Sequence, residues 1–360
     1  MPPAGSGGGP RFDVAVVGGG VVGCLTAWEI LARSPESTVV ILERDGVGGG
    51  ATLRSAALHF PRGGTERVRR MSRYSQTWWE GLSAAYPELP IHPVGMSVVA
   101  AATSRARVRR NYLDTADLVE TDGVPVAAIR IPDDATVWSG RGCHYSYGHG
   151  VTQTLARQLR GRAAVREGVR VVAVEPTAHG VVLRLGTGET LTAGRVVLAP
   201  GPWSADAAWR DLVAPLGVRI KKVVALHLDV APAEGDGVVV FDDEDAFLLP
   251  LRYRGHWLLS YTCQEWDVDP DGLTAGLSDA DLAAARDVLG RYAPGLIERC
   301  TGGRVFCDAY SVEREPIVRA LDDAGRIVFA GAANGSGYRL APAIAAECVD
   351  LLTTNGGDAE

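Results

Sequence analysis

The sequence predicts an α/β protein, α+β overall, in two joined domains, one of which is assembled from separated pieces of chain. Three observations carry this. A β-strand, a glycine-rich turn, a helix and a second strand open the chain. A strand, a glycine loop and a helix close it. Between them lie alternating strands, from which a mixed, mainly antiparallel sheet is expected. A chain of 360 residues is long for one simple core and suits two domains.

Phe12 to Val17 (FDVAVV) is short, apolar and rich in β-branched residues, as a buried parallel strand is. Gly18-Gly19-Gly20-Val21-Val22-Gly23 follows at once, then a helical stretch, Cys24 to Ala32. Thr38 to Leu42 (TVVIL) is the second buried strand, closed by Glu43 and Arg44. The unit is a complete Rossmann-type βαβ, with a dinucleotide as its ligand. Gly18 serves the tight turn, Gly20 lets backbone approach a pyrophosphate, and Gly23 lets the helix pack against the strand. The helix N-terminus, at Val21 and Val22, offers free N–H groups and the positive end of a dipole. Glu43, twenty residues past Gly23, stands where a carboxylate accepts from ribose hydroxyls, which disfavours a 2′-phosphate and hence NADP.

Further along, residues 46–57 form a Gly/Ala/Ser-rich loop, and residues 65–83 a helix whose stripe is Val68, Met71, Ser75, Trp78 and Leu82. A strand is expected over 95–101 and helices over 104–118 and 151–160. Strands follow over 169–174, 181–185, 190–192 and 195–199, the last ending in Pro200-Gly201-Pro202-Trp203. Residues 218–262 alternate as strands, and Ser278 or Asp279 caps a helix running to Leu289. A last buried strand, Ile327 to Ala330, enters a Gly331 to Gly337 loop and a helix from Ala341 to Leu352.

Composition excludes several classes. A net charge of −7 gives no electrostatic support to nucleic-acid binding. No apolar run reaches the roughly 18 residues that span a bilayer. The Gly/Pro-rich start has neither the basic nor the apolar region of a secretory signal, so a disordered leader over 1–10 is expected. Six scattered cysteines without a CxxC pair argue against zinc and a disulfide scaffold, and for a reducing cytoplasm. Only Lys221 and Lys222 among the 36 basic residues are lysines.

Four segments extend the reading over about 330 residues: VVGGGVVGCLTAWEIL with LERDGVGGGAT, GGTERVRRMSRYSQTWWEGL, RVVLAPGPWS, and RIVFAGAANGSGYRLAPAIAAECVDLL. Together they resemble the D-amino-acid oxidase-like superfamily of FAD-dependent oxidoreductases, which includes sarcosine and glycine oxidases. The resemblance implies FAD and a division into an FAD-binding domain (11–90, 145–215 and 303–355) and a substrate domain (91–144 and 216–302). It places Gly50, Ala51 and Thr52 over the pyrophosphate, the Val172 backbone at the adenine, Gly201 and Trp203 at a turn lining the flavin, and Gly335, Ser336, Gly337, Tyr338 and Arg339 along the pyrimidine edge. Arg339 there would stabilise an anionic reduced flavin.

The implied chemistry is hydride transfer from the carbon of a C–N bond to flavin N5, giving an imine that hydrolyses. The substrate is a small amino acid or secondary amine, and electrons pass to oxygen or another acceptor. An arginine holds a substrate carboxylate bidentately. Arg69 falls on the sarcosine-oxidase position for that role, with Arg339 as second contact, and His59 is a further candidate at the flavin face. Three departures bear on the chemistry. Leu258, in HWLLSYT, stands where those oxidases carry an oxygen-activating lysine, so a dehydrogenase with another acceptor stays open. Cys307 lies one residue from the position of a covalent flavin tether, which favours non-covalent FAD. Asp308 takes the place of the glycine-oxidase arginine, which disfavours glycine. A flavin-binding subunit of a larger amine dehydrogenase stands as an alternative. The arginine-rich, lysine-poor composition suits a biosynthetic enzyme acting on an unusual amino acid.

Overall fold

A computed structural model describes residues 9–354 apart from residue 275. Residues 1–8 of the expected leader lie outside the described residues. In chain order the strands of the first half are β1 (Arg11–Val17), β2 (Val39–Leu42), β3 (Leu58–His59), β4 (Ile91–Ala101), β5 (Val119–Thr121) and β6 (Ala135–Ser146). Then come β7 (Ala164–Arg166), β8 (Val171–Thr177), β9 (Gly180–Leu185), β10 (Thr190–Leu198), β11 (Arg219–Leu228) and β12 (Val238–Phe241). The chain ends with β13 (Ala246–Leu251), β14 (His256–Tyr261), β15 (Cys300–Tyr310), β16 (Ile317–Ala320) and β17 (Ile327–Gly331). The helices are α1 (Val21–Arg33), α2 (Ala51–Arg54), α3 (Glu66–Ala85), α4 (Arg105–Asn111), α5 (Gly148–Leu159), α6 (Arg210–Val213), α7 (Asp279–Tyr292) and α8 (Gly337–Thr354).

An eight-stranded sheet runs β16-β17-β10-β1-β2-β7, with β8 and β9 carried on β10. β1 pairs in parallel with β2 on one side and β10 on the other, and β10 pairs in parallel with β17. These strands are buried on both faces, which is why they read as unbroken Val/Ile/Leu runs rather than alternating ones. Apolar layers cover both sides. Helices α1, α3 and α8 contribute one, and the β8–β9 hairpin contributes the other. From β1 the chain departs in opposite directions to β2 and β10, so the crevice beyond their carboxyl ends is a topological switch point, where α/β sheets bind ligands.

The second sheet has nine strands in the order β15-β11-β14-β13-β12-β4-β6-β3, with β5 on β6. It is antiparallel except for the β12–β4 pair. One face packs on α7, whose start is a capping box between Ser278 and Asp281. The expected class, a discontinuous Rossmann-type sheet with a mainly antiparallel partner, is the class observed.

Several expectations are corrected in detail. The division at residue 303 falls inside β15, which belongs wholly to the second sheet, as does β3. The strands expected at 190–192 and 195–199 are one, β10, because it pairs with β9 at one end and β1 at the other. In α3 the buried tryptophan is Trp79, while Trp78 is half-buried; Trp79 stacks on Tyr338, ring centroids 4.5 Å apart. The helix expected over 104–118 is α4 and two short turns, since the chain must return to pair β5 with β6. Helix α8 starts at Gly337 rather than Ala341, so Tyr338 and Arg339 sit in its first turn.

Candidate active site

The ends of β1, β10 and β17 open into one cavity of about 850 Å³. Its size lies within the range for cofactor and substrate sites. The first wall is the β1–α1 turn. Gly18 has φ +105°, and a Cβ there would lie 2.2 Å from the Ala199 carbonyl oxygen at the end of β10. A Cβ at Gly23 would lie 1.9 Å from the Gly18 carbonyl oxygen. The turn therefore tolerates no side chain at either place, and α1 presents a first turn with no side-chain cap and no acidic residue. Thr52 accepts the Val21 N–H at 3.1 Å, which anchors α2 and the Gly50–Thr52 loop over the turn.

Glu43 accepts the Gly19 N–H at 2.7 Å and the Asp45 N–H at 2.9 Å, and burial raises its pKa. Beside it Arg44 stacks on Trp203, 4.5 Å from the ring centroid, and pairs with Asp271 at 3.1 Å. The Trp203 indole N–H donates to the same Asp271 at 2.7 Å. This end could hold a nucleotide: it offers glycine backbone to phosphates and a carboxylate to ribose, with an arginine–tryptophan stack alongside.

The opposite wall comes from β11, β15 and the loop after β17. Ala332, Asn334 and Gly335 all have positive φ. The Asn334 amide donates to Ser311 Oγ at 3.2 Å, and the Ser311 N–H donates to Asn334 Oδ1 at 3.1 Å. These bonds hold the loop against the end of β15, so Asp308 and Tyr310 share the cavity with Gly335 to Arg339. Arg339 is buried, stacks on Phe60 at 5.1 Å and donates to the Arg62 carbonyl and, at 2.8 Å, to Ser336 Oγ. Among the described residues no carboxylate pairs with it, and burial together with Arg62 lowers its pKa to about 10. Asp308 has its carboxyl pushed up to about 6 by burial, against the pull of the Ala309 and Gly335 backbone N–H groups.

Gly18, Gly20, Val21, Val22, Glu43, Arg44, Gly50, Ala51, Thr52, Gly201, Trp203 and Gly335 through Arg339 all line this cavity. Three named residues do not. Val172, expected there through its backbone, is exposed, and the wall at that place is formed by the residues just before it, Val169, Arg170 and Val171. Arg69 is turned to the carbonyls of Arg110 and Tyr112, which use its donors in tying α3 to the end of α4. His59 is buried behind the wall, stacked on His144 with centroids 4.9 Å apart, and burial lowers its pKa well below the usual value. Pairing of β3 with β6 puts it there.

Other placements were not legible in the sequence. Leu258 is core, while Lys221 on β11 lines the cavity. Cys307 is buried on the far face of β15 from Asp308, among the β8–β9 side residues, and burial raises its pKa to about 11. Tyr261 reaches the cavity, with its hydroxyl donating to the Asp281 carbonyl at 3.0 Å, whereas Trp257 is core and Tyr253 exposed. Arg62, half-buried and paired with Asp242 at 3.1 Å, also lines the cavity; only its place before Gly63-Gly64 pointed to it. Among the described residues no cluster has the makings of a metal site, and no helix is long and apolar enough to cross a membrane.

Residues 13–351 match the DAO family, FAD dependent oxidoreductase. The chain belongs to that family. Among curated proteins it is 28% identical to 4-methylaminobutanoate oxidase (formaldehyde-forming) of Paenarthrobacter nicotinovorans, over 72% of this chain and 32% of that protein. It thus spans about a third of the length of that relative. Among solved structures it resembles NikD, an unusual amino acid oxidase essential for nikkomycin biosynthesis, with a TM-score of 0.78 and 19% identity over 98% of this chain and 96% of that one. Glycine oxidase from Geobacillus kaustophilus gives a TM-score of 0.80 and 18% identity over 98% and 97%. At such identities the likeness is one of fold. The cavity fits the cofactor that the family description names: the glycine cradle, Glu43 and the unpaired Arg339 offer donors and charge to phosphates, ribose and an electron-rich ring.

Proposed function

We propose that this DAO-family chain binds FAD non-covalently and oxidises the C–N bond of a small amino acid or secondary amine to an imine. One observation carries the reading: an end lined by the glycine turn and Glu43 and a charged, aromatic-walled end open into the same cavity. FAD, when bound, supplies a two-electron acceptor for hydride. The residues of this chain do the rest. Gly18, Gly20 and the first turn of α1 would seat the diphosphate and Glu43 the ribose, and Arg339 would supply positive charge to an anionic reduced ring. Lys221, Trp266 and Tyr310 bound the space left for substrate, and positioning there is the main catalytic contribution open to the protein. Burial of Cys307 away from the cavity supports a non-covalent cofactor.

Anaerobic mixing of the yellow holoprotein with a panel of D-, L- and N-alkyl amino acids and secondary amines tests this. Bleaching by at least one of them is expected, with flavin released by acid precipitation. A flavin that no member reduces would favour a binding subunit instead, and colour held in the acid pellet would return Cys307 as a tether. Peroxide formation against reduction of an added dye then decides between oxygen and another acceptor.

A further inference from the structure

The substrate end of the cavity is walled by β11 and β15, paired antiparallel with Lys221 directly opposite Asp308. Directly opposed residues share a face of a sheet with Cβ atoms about 4.5–5.5 Å apart. Opposite charges so placed ordinarily pair. Here they do not. The Lys221 ammonium stands over the rings of Trp266 and Tyr310, 4.8 and 5.2 Å from their centroids. Among the described residues no carboxylate pairs with it. Its neighbour Lys222, on the other face of the strand, is fully engaged, at 2.9 Å from Glu265 and 3.0 Å from Asp281. Asp308 takes only backbone, the Ala309 N–H at 2.8 Å and that of Gly335. Two opposite charges thus face one cavity side by side, neither spent on the other, at a desolvation cost that a ligand of matching charge would offset.

We propose that Asp308 and Lys221 form the recognition pair for a zwitterionic amino acid, Asp308 taking the nitrogen and Lys221 the carboxylate. Trp266 and Tyr310 flank the carbon skeleton between them. This rests on the reading of the chain as an amine or amino-acid oxidising flavoprotein and names the substrate class within it. It moves the carboxylate contact from Arg69, which is turned away, to a strand that carried no motif. Arg314, which lines the same wall, adds positive charge on the Lys221 side. The contact also gives the substrate proton a destination. Transfer from ammonium to Asp308 breaks one N–H bond and forms one O–H bond, leaving a neutral amine and a neutral carboxylic acid.

Two half-ligands separate the roles. Acetate and dimethylammonium chloride are titrated into the FAD-loaded protein and followed by the flavin difference spectrum and by calorimetry. In Lys221→Met, acetate is expected to bind at least tenfold more weakly while dimethylammonium binds as well or better; Asp308→Asn is expected to give the reverse. Lys221→Arg and Asp308→Glu restore the respective affinities. The pair is ruled out if both variants leave both probes within twofold, if both probes weaken alike in both variants, or if the unaltered protein binds neither. None of these readouts depends on turnover, so they stand or fall apart from the bleaching experiment.

Discussion

At the scale of single residues, the wall behind the cavity carries polar atoms that find no partner among the described residues. Both ring nitrogens of His59, Nε2 of His144, the Trp79 indole N–H and the hydroxyls of Tyr112 and Tyr338 are buried without one. Burial lowers the His144 pKa from 6.5 to about 4. The folded state therefore keeps this ring neutral where the unfolded chain protonates it. Between these values the unfolded state binds more protons, so stability is present above pH 6.5 and lost as pH falls toward 4. A shift of that size corresponds to about 3 kcal/mol. Replacing His144 by Phe keeps a ring against His59 and removes the titration. The variant is expected to show a flatter fall in unfolding free energy between pH 6.5 and 4, measured by urea unfolding. Asp308, raised to about 6, acts with opposite sign in part of this window. The quantity to compare is thus the difference between the two proteins, and equal slopes would refute the assignment.

At the scale of elements, the β1–α1 turn is set by close approach. A Cβ at Gly23 would sit 1.9 Å from a backbone carbonyl oxygen, which no side-chain movement relieves. Gly23→Ala is expected to push α1 off β1, destabilise the fold by about 1–3 kcal/mol and weaken FAD binding at least tenfold. Gly81 is the contrast. It lies on the exposed side of α3, with nothing within 4 Å of an added Cβ. Gly81→Ala is expected to stabilise by about 0.5–1 kcal/mol, with FAD affinity unchanged. Thermal unfolding and FAD titration of both variants check the pair. The same local chemistry made this end of the site readable: the glycines, the helix and Glu43 lie within one βαβ unit, whose geometry hardly depends on the rest of the chain. Elements whose ends depend on distant partners were read less well. Helix α4 stopped early because β5 had to reach β6, and α8 started early because its first turn closes the cavity.

At the scale of the whole molecule, the cavity exists only where both sheets meet. FAD lying between them would bind the folded state alone, so it should stabilise by mass action, by about 2.7 kcal/mol at a hundredfold excess over its dissociation constant. Stripping FAD from the protein is expected to lower the unfolding midpoint, and readdition to restore it in proportion to the logarithm of FAD concentration. A midpoint indifferent to FAD would place the cofactor elsewhere.

The sequence by itself determined the cofactor end. Strand, turn, helix and acid are neighbours along the chain, and glycine conformation and helix N-terminal charge are local properties. It also carried the C-terminal loop, because its glycines and the helix after it again form one local unit. Only the tertiary structure decided the opposite end of the cavity, where we place the substrate. Lys221 and Asp308 meet through the pairing of β11 with β15, and Arg69 is withdrawn by carbonyls at the end of α4. Side-chain direction in a strand reverses with every residue, so which charges face a cavity depends on register between distant strands, which no local pattern encodes.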